Sequence, residues 1–341
     1  MTALLSAHSV TSLDVVHHAD ALSLLRGLRS ASVDLIATDP PYNMRKFPGD
    51  TFESDVALVR WLGVHFAEMR RVLKPNGSVY VFCDTALQAD VEREMRRHFR
   101  VLTNIRWRKP PYATKAEMFN KDMMRAYFPA SETIIFAEQY GEDTKRGIFG
   151  EYLVAELERA GATSAEIAAL FPSKTGGLTG CVSNWVLGYN IPTPEQYQAM
   201  RAHLNTHHRN GGGEYLRREY EDLRRPFNAT PDAPYTDVWD FPTVGAYPGK
   251  HPAEKPLAMM RHIVRVSSRP GAVVLDPFCG SGTTLLAAYL EGRQYIGGDF
   301  AQRWVRRSRQ RIAEHTRPMQ AAAVQHDDVS DLPLFAAAKA R

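Results

Sequence analysis

Two short segments, far apart in the chain, constrain its fold more than any other feature. Near the N-terminus, the apolar run Val33-Asp34-Leu35-Ile36-Ala37 ends in Thr38-Asp39-Pro40-Pro41-Tyr42. Near the other end, Val273-Val274-Leu275-Asp276 runs into Pro277-Phe278-Cys279-Gly280-Ser281-Gly282-Thr283-Thr284. Each reads as a buried parallel strand whose C-terminal end delivers a functional loop. A sheet of parallel strands needs helical crossovers, and the intervening sequence supplies them.

Helical periodicity runs from Val56 to Leu73, and Lys74-Pro75-Asn76-Gly77 stops it. Ser78–Cys83, Val101–Trp107 and Ser131–Ala137 read as strands, with an amphipathic helix at Ala86–His98. From Glu151 to about Arg225 the pattern is helical, and Pro- and aromatic-rich loops follow to Pro252. Alternation resumes with a helix from Lys255 to Ser267, the strand Ala272–Leu275, a helix Thr283–Glu291 and a strand from Gln294 that ends at Asp299. The expected fold is an α/β sheet with helices on both faces, interrupted by a helical insertion. Expected boundaries are 1–140 for the first catalytic part, 141–235 for the insertion, 236–316 for the second catalytic part and 317–341 for a mobile tail.

Composition excludes several classes. The longest apolar runs are strand-sized, too short to span a bilayer, and no signal-like pattern opens the chain, so a cytoplasmic protein is expected. Cys83, Cys181 and Cys279 lack metal-ligand spacing, so reduced thiols and no metal are expected. A net charge of +4 permits a polyanionic partner without requiring one.

The glycine turn lets backbone pass close to a ligand at the end of a strand. Asp299 ends the next strand, where an acid can accept hydrogen bonds from two ribose hydroxyls. A nicotinamide dinucleotide is disfavoured, because Leu285 stands where that fingerprint needs a third glycine. Phe278 either packs on an adenine ring or belongs to the core. At the other segment, two prolines fix a rigid exit from the sheet. A Pro-rich turn needs neither the acid before them nor the aromatic after them, whereas a site that methylates an amino group on a base uses both. Asp39 and the carbonyl of Pro40 can accept the amino hydrogens, and Tyr42 can stack on a base that has left the duplex.

These residues resemble the β class of S-adenosylmethionine-dependent DNA amino-methyltransferases. Asp39-Pro40-Pro41-Tyr42 matches motif IV, and Asp276 to Thr284 matches motif I. His251-Pro252-Ala253-Glu254-Lys255-Pro256-Leu257 looks like motif X, and His18-Ala19-Asp20-Ala21-Leu22 resembles the segment that precedes motif IV. The order, motif IV first and motifs X and I last, is that of the β class, and the match covers roughly residues 10–140 and 235–315. The resemblance implies a Rossmann-like sheet with circularly permuted motif order and a helical target-recognition insertion. It implies S-adenosylmethionine as cofactor, with Asp20, Ala21, Asp39, His251, Lys255, Asp276, Phe278, Gly280, Ser281, Gly282, Thr283 and Asp299 around it. It implies that Asp39, Pro40 and Tyr42 carry catalysis. Double-stranded DNA is the implied partner, and a homodimer is common. The family usually has Glu where Asp299 stands, which shortens the ribose contact. Asp-Pro-Pro-Tyr favours N6 of adenine, with N4 of cytosine as the alternative.

Within the insertion, Thr163-Ser164-Ala165-Glu166 reads as a capping box. Cys181–Gly188 resembles the second helix of a Cro-type helix-turn-helix, with Pro172–Thr179 lengthening the turn before it. The segment is either a recognition element or a helical scaffold. Lys174, Ser183 and Asn184 are its base-contact candidates. Arg201, Arg209, Arg217, Arg218, Arg224 and Arg225 lie among acids, as solvated surface with some on phosphates. Nearer the catalytic end, Arg45 and Lys46 follow Tyr42, and Arg108 and Lys109 lie in a basic, aromatic stretch suited to phosphate contact and stacking. Both stretches read equally as ordinary surface loop.

Overall fold

Eight strands form one sheet in the computed structural model, which describes residues 12–45, 49–109, 125, 127, 129–140, 146–174, 176–177, 179–207, 214–229 and 235–327. The strands are β1 (Val15–His18), β2 (Val33–Thr38), β3 (Leu73–Cys83), β4 (Arg100–Arg108), β5 (Ser131–Glu138), β6 (Val238–Trp239), β7 (Val273–Asp276) and β8 (Gln294–Asp299). Their order across the sheet is β1-β8-β7-β2-β3-β5-β4-β6, and β5 alone runs antiparallel to its neighbours. The helices are α1 (Ala21–Gly27), α2 (Asp55–Val72), α3 (Gln88–Met95), α4 (Ile148–Ala160), α5 (Ser164–Ala169), α6 (Cys181–Val186), α7 (Pro194–His207), α8 (Tyr220–Leu223), α9 (Leu257–Ser267), α10 (Thr283–Leu290) and α11 (Gln302–Asp327).

Period-two alternation along the strands divides the core into two layers. Leu35 and Ala37 of β2, Tyr80 and Phe82 of β3, and Ile134 and Phe136 of β5 face α9, α10 and α11. Ile36, Val79, Val81, Ile135 and Ala137 face the layer made by α1, α2 and α3. With both faces covered, the strands are continuous apolar runs rather than alternating ones, as parallel sheets require.

Several boundaries differ from those read in the sequence. β3 starts at Leu73, because Leu73 pairs with Val33 before the register jumps to Leu35 opposite Ser78. The Lys-Pro-Asn-Gly turn is therefore carried as an irregularity inside a strand, tied down by Lys74 on Asp34 at 2.8 and 2.9 Å. α9 starts at Leu257 because Pro256 is its extended N-cap, and a proline there holds the residue before it out of the helix. The Pro- and aromatic-rich loop after the insertion contains β6, two residues on the edge beside β4, too short to show periodicity. α11 runs past Arg317, where composition placed the start of a tail.

The insertion has its own core, built from Phe149, Leu153, Leu157, Ile167, Trp185, Tyr197, Met200 and Leu204 among others. The Thr163–Glu166 capping box is present, with both reciprocal bonds made. Several of its arginines are internal staples rather than free surface. Arg201 donates to the carbonyls of Leu216 and Arg218, Arg224 pairs with Glu221, and Arg225 pairs with Glu138 at 2.6 Å. Arg209 lies outside the described residues.

Where the insertion docks matters for function. Arg225 reaches Glu138 at the end of antiparallel β5, and Arg100 at the start of β4 donates to Gly188. Asn76 donates to the carbonyl of Glu221, Arg269 pairs with the Glu221 carboxylate, and Asn228 donates to Val266 near the end of α9. Every one of these anchors lies at the edge of the sheet where the parallel strands begin.

Within the insertion core, α4 and α6 approach so closely that a Cβ on Gly150 would stand 2.2 Å from the carbonyl oxygen of Val186. That neighbour is backbone and cannot rotate away. Gly150→Ala is expected to cost about 1–3 kcal/mol through forced separation of the two helices, read as a lowered urea midpoint. An unchanged midpoint would show that the two helices are not pressed together.

Candidate active site

β2 and β7 are adjacent and parallel, with Leu35 opposite Val274 and Ile36 opposite Leu275. Their C-terminal loops therefore emerge side by side, although far apart in sequence. A cavity of about 620 Å³ opens between them and is lined by Asp39, Pro40, Tyr42, Asp276, Phe278, Gly280, Ser281 and Thr283, among others. Asp276 braces the two loops from below. Its carboxylate accepts from Thr38 Oγ1 at 2.7 Å, Thr284 Oγ1 at 2.6 Å and the Phe278 amide at 3.1 Å. Burial raises its pKa to about 6 against the pull of those bonds.

Asp39 is held by two side chains. The Tyr42 hydroxyl donates to one carboxylate oxygen, and Lys255 reaches the other at 2.5 Å. Burial, then the Asp39 charge, drives the Tyr42 phenol well above its ordinary range, so it remains a donor. Lys255 also lies 3.3 Å from Glu132, which pairs in turn with Lys109. The result is an alternating row, Asp39–Lys255–Glu132–Lys109, along the cavity wall. Behind it, Asp50 accepts from the Tyr42 amide at 2.8 Å and fixes the loop that follows the two prolines.

On the other wall, Gly280 and Gly282 take left-handed backbone, φ 49° and 78°. A Cβ on Gly280 would press on the His251 ring at 3.3 Å, and one on Gly282 would collide with Ser308. Asp299 braces the turn itself. It accepts from the amides of Gly280 at 3.1 Å and Ala301 at 2.8 Å, and it does not line the cavity. Glu254 bridges the remaining pieces, accepting from Ser281 at 2.9 Å and Tyr247 at 2.6 Å and pairing with Arg311 at 3.3 Å. His251 lies edge-on to Trp304, 4.4 Å between centroids, and burial lowers its pKa. Phe278 is half-buried, lines the cavity and leans on Trp61 and His65. Its ring thus lies between the core and the cavity.

Other candidates fall elsewhere. Asp20 caps α1 by accepting from the Ser23 amide at 3.0 Å, and neither it nor Ala21 lines the cavity, though Ala19 beside them bonds to the Asp299 carbonyl. Lys109 lines the cavity, whereas Arg108 points outward to Asp240 at 2.5 Å. Arg45 is exposed next to Met44, which lines the mouth; Lys46 lies outside the described residues. Lys174, Ser183 and Asn184 are exposed on the insertion and are not brought to the cavity. Among the described residues no group of acids, histidines or cysteines has the form of a metal site.

Glu132 and Asp50 were not among the residues singled out from the sequence, and Glu254 stood there only within the His251–Leu257 segment, with no role of its own. Glu132 opens β5, and only the antiparallel direction of β5 brings its first residues to the same end as Asp39. A carboxylate inside a segment otherwise read as one more strand was the available signal.

Comparison with known proteins now decides the family. The DNA methylase profile of the N6/N4 type matches residues 33–310. The chain belongs to that DNA methylase family. The DNA adenine methyltransferase YhdJ of Escherichia coli K12 is 27% identical over 323 residues, 92% of this chain and 88% of that protein. The putative DNA modification methylase TTHA0409 of Thermus thermophilus, solved with S-adenosyl-L-methionine, superposes with a TM-score of 0.50 at 22% identity, over 88% of this chain and 93% of that one. The cytosine-N4-specific PvuII DNA methyltransferase superposes with a TM-score of 0.52 at 18% identity, over 87% and 86%. At such identities the two structures establish the shared α/β fold of this methylase and no more.

Two outcomes follow from the site's electrostatics. Removing Lys255 takes a shared cation from two inward-facing carboxylates, leaving Asp39 to the Tyr42 hydroxyl and Glu132 to Lys109, so Lys255→Met should cost on the order of 3 kcal/mol. Adding Asp39→Asn and Glu132→Gln should recover part of that loss; strict additivity in chemical denaturation would show that the three groups do not interact. Asp276 gives a pH signature. Its raised pKa means its contribution is full below about pH 4 and is lost as pH climbs through about 6. Relative to Asp276→Asn, the wild-type protein should lose on the order of 3 kcal/mol of stability between about pH 4 and 7. A pH-independent difference would place the titration elsewhere.

Proposed function

We propose that this DNA methylase transfers a methyl group from S-adenosylmethionine to N6 of adenine in double-stranded DNA. The carrying observation is that Asp39, at the end of β2, opens into the same cavity as the glycine turn at the end of β7. The adenine reading is supported by Asp39 standing before the two prolines and by the name of the YhdJ relative along most of the chain.

The cavity suits the cofactor on chemical grounds. Among the described residues six carboxylates line it, Asp39, Asp50, Asp84, Glu132, Glu254 and Asp276, against three lysines, Lys109, Lys250 and Lys255. Such an excess favours a sulfonium cation. The glycine turn leaves room where any side chain at 280 would meet His251. Phe278 and His251 are the candidates to flank the adenosyl part, with Ser281 and Thr283 as polar partners. When bound, S-adenosylmethionine supplies an electrophilic methyl carbon.

The rest is done by the chain. A stacked, paired base cannot reach a cavity at the strand ends, so the target leaves the duplex first. Its amino nitrogen is a weak nucleophile because its lone pair is delocalised into the ring. A carboxylate has about four lone-pair sites, and Tyr42 and Lys255 together occupy two on Asp39. The remaining capacity accepts one amino hydrogen while the Pro40 carbonyl accepts the other, turning the nitrogen lone pair toward the methyl carbon. Tyr42, tethered through its hydroxyl, offers its ring to the base. Catalysis here is positioning and preorganised charge. Cys279, buried and with its thiol pKa raised by burial, takes no part.

Asp39→Asn should lower methyl transfer at least about a hundredfold while cofactor affinity keeps its order of magnitude. Radiolabelled transfer to DNA, followed by hydrolysis to nucleosides, measures both rate and product. N4-methylcytosine among the products would replace the adenine reading with the cytosine one.

A further inference from the structure

The helical insertion and the cavity occupy opposite ends of the sheet. β4 makes this measurable. Its first residue, Arg100, donates to Gly188, just past α6, while at its other end Trp107 lines the cavity and Arg108 pairs outward with Asp240. The strand has nine residues with both arginines included, a span of about 26 Å from one to the other. The cause is topological. β5 runs antiparallel, so the chain leaves it at the far end, and the insertion is fastened there through Glu138, Asn76, Arg100, Val266 and Arg269.

Resting on the methyltransferase reading above, we infer that target sequence is read by two rim segments, 43–45 and 240–250, and not by the helical insertion. A duplex whose base enters the cavity lies across the rim. DNA is stiff over about 150 base pairs, so the same duplex does not turn down the side of the sheet to meet Ser183 and Asn184. The rim segments have the properties that readout needs, being exposed but rigidly mounted. Trp107 Nε1 donates to the Phe241 carbonyl at 2.8 Å and Lys250 Nζ to the Val244 carbonyl at 2.7 Å. Between those fixings Thr243 is exposed and lines the cavity mouth. Across the mouth, Asn43 accepts from the Phe52 amide at 2.8 Å, and the Arg45 amide is bound to the Asp50 carbonyl. That leaves Met44 and the Arg45 side chain facing outward.

The test compares two sets of full-length variants. One carries Ser183→Ala with Asn184→Ala; the other carries Arg45→Ala with Thr243→Ala. Sequencing of modified DNA from cells expressing each protein gives the methylated motif. Anisotropy with a motif duplex and the same duplex altered at one base pair gives discrimination without needing turnover. The expected result is an unchanged motif for the insertion pair and about a tenfold loss of discrimination for the rim pair. A changed motif in the insertion pair overturns the inference, including the case where a second copy's insertion does the reading. Full discrimination retained by the rim pair overturns it as well. The modified base reports separately on chemistry: methylcytosine would defeat the adenine reading and leave this placement of readout intact.

Discussion

The buried carboxylate of Asp276 is the constraint on which the site depends. It joins strands that the sequence keeps far apart, through Thr38 on one loop and Thr284 and the Phe278 amide on the other. Burying an acid is costly, and its pKa near 6 records that cost. Three donors offset it, the last residue of β2, the first turn of α10 and the amide of Phe278, and each borders a loop that the site must position. An amide or an apolar residue there would leave the Thr38 and Thr284 hydroxyls competing for poorer partners. The wall that carries Asp39 and the wall that carries the glycine turn are thus held in register by one side chain.

The same logic repeats one layer nearer the cavity. Lys255 links the segment before α9 to Asp39 on β2 and to Glu132 on β5. Glu254, the adjacent residue, links that segment to the glycine turn and to α11. Two neighbouring charged residues therefore face opposite walls, and the extended backbone imposed by Pro256 lets them diverge. In a helix they would be about 100° apart on one cylinder. The short stretch from His251 to Pro256 acts as a strut because it is not helical.

Much of this was legible in the sequence, for identifiable reasons. Strands buried on both faces appear as apolar runs, so β2, β7 and β8 could be placed, and glycines at φ 49° and 78° announce the turn. The loop residues Asp39, Tyr42, Gly280 and Ser281 were readable because a site at the ends of parallel strands concentrates them there. What was not legible is direction. The run at Ser131–Glu138 looks the same whichever way it lies, and only pairing with β3 and β4 shows it to be antiparallel. That one reversal brings Glu132 to the cavity and sends Glu138, with everything after it, to the far side. Asp299 shows what position alone leaves out: its place at a strand end was readable, whereas its bonds to the amides of Gly280 and Ala301 come from the fold of the turn.

Strand direction also explains how the chain accommodates its insertion. Helices α4 to α8 are added where β5 exits, and their core is separate from both layers of the sheet. Strain inside the insertion would have to travel the length of β4 or β5 to disturb Asp39. The staples make the attachment rigid at that end: Arg225 is bonded to Glu138 and stacks on Phe136, and Arg269 binds Glu221. After the insertion the chain climbs back along the sheet edge as β6, pairing Trp239 with Trp107, and only then crosses the cavity mouth. The segment that frames the mouth is therefore anchored by the sheet and not by the insertion. Cavity and insertion share a scaffold but not a surface, which follows from the antiparallel direction of β5 among the otherwise parallel strands of the described residues.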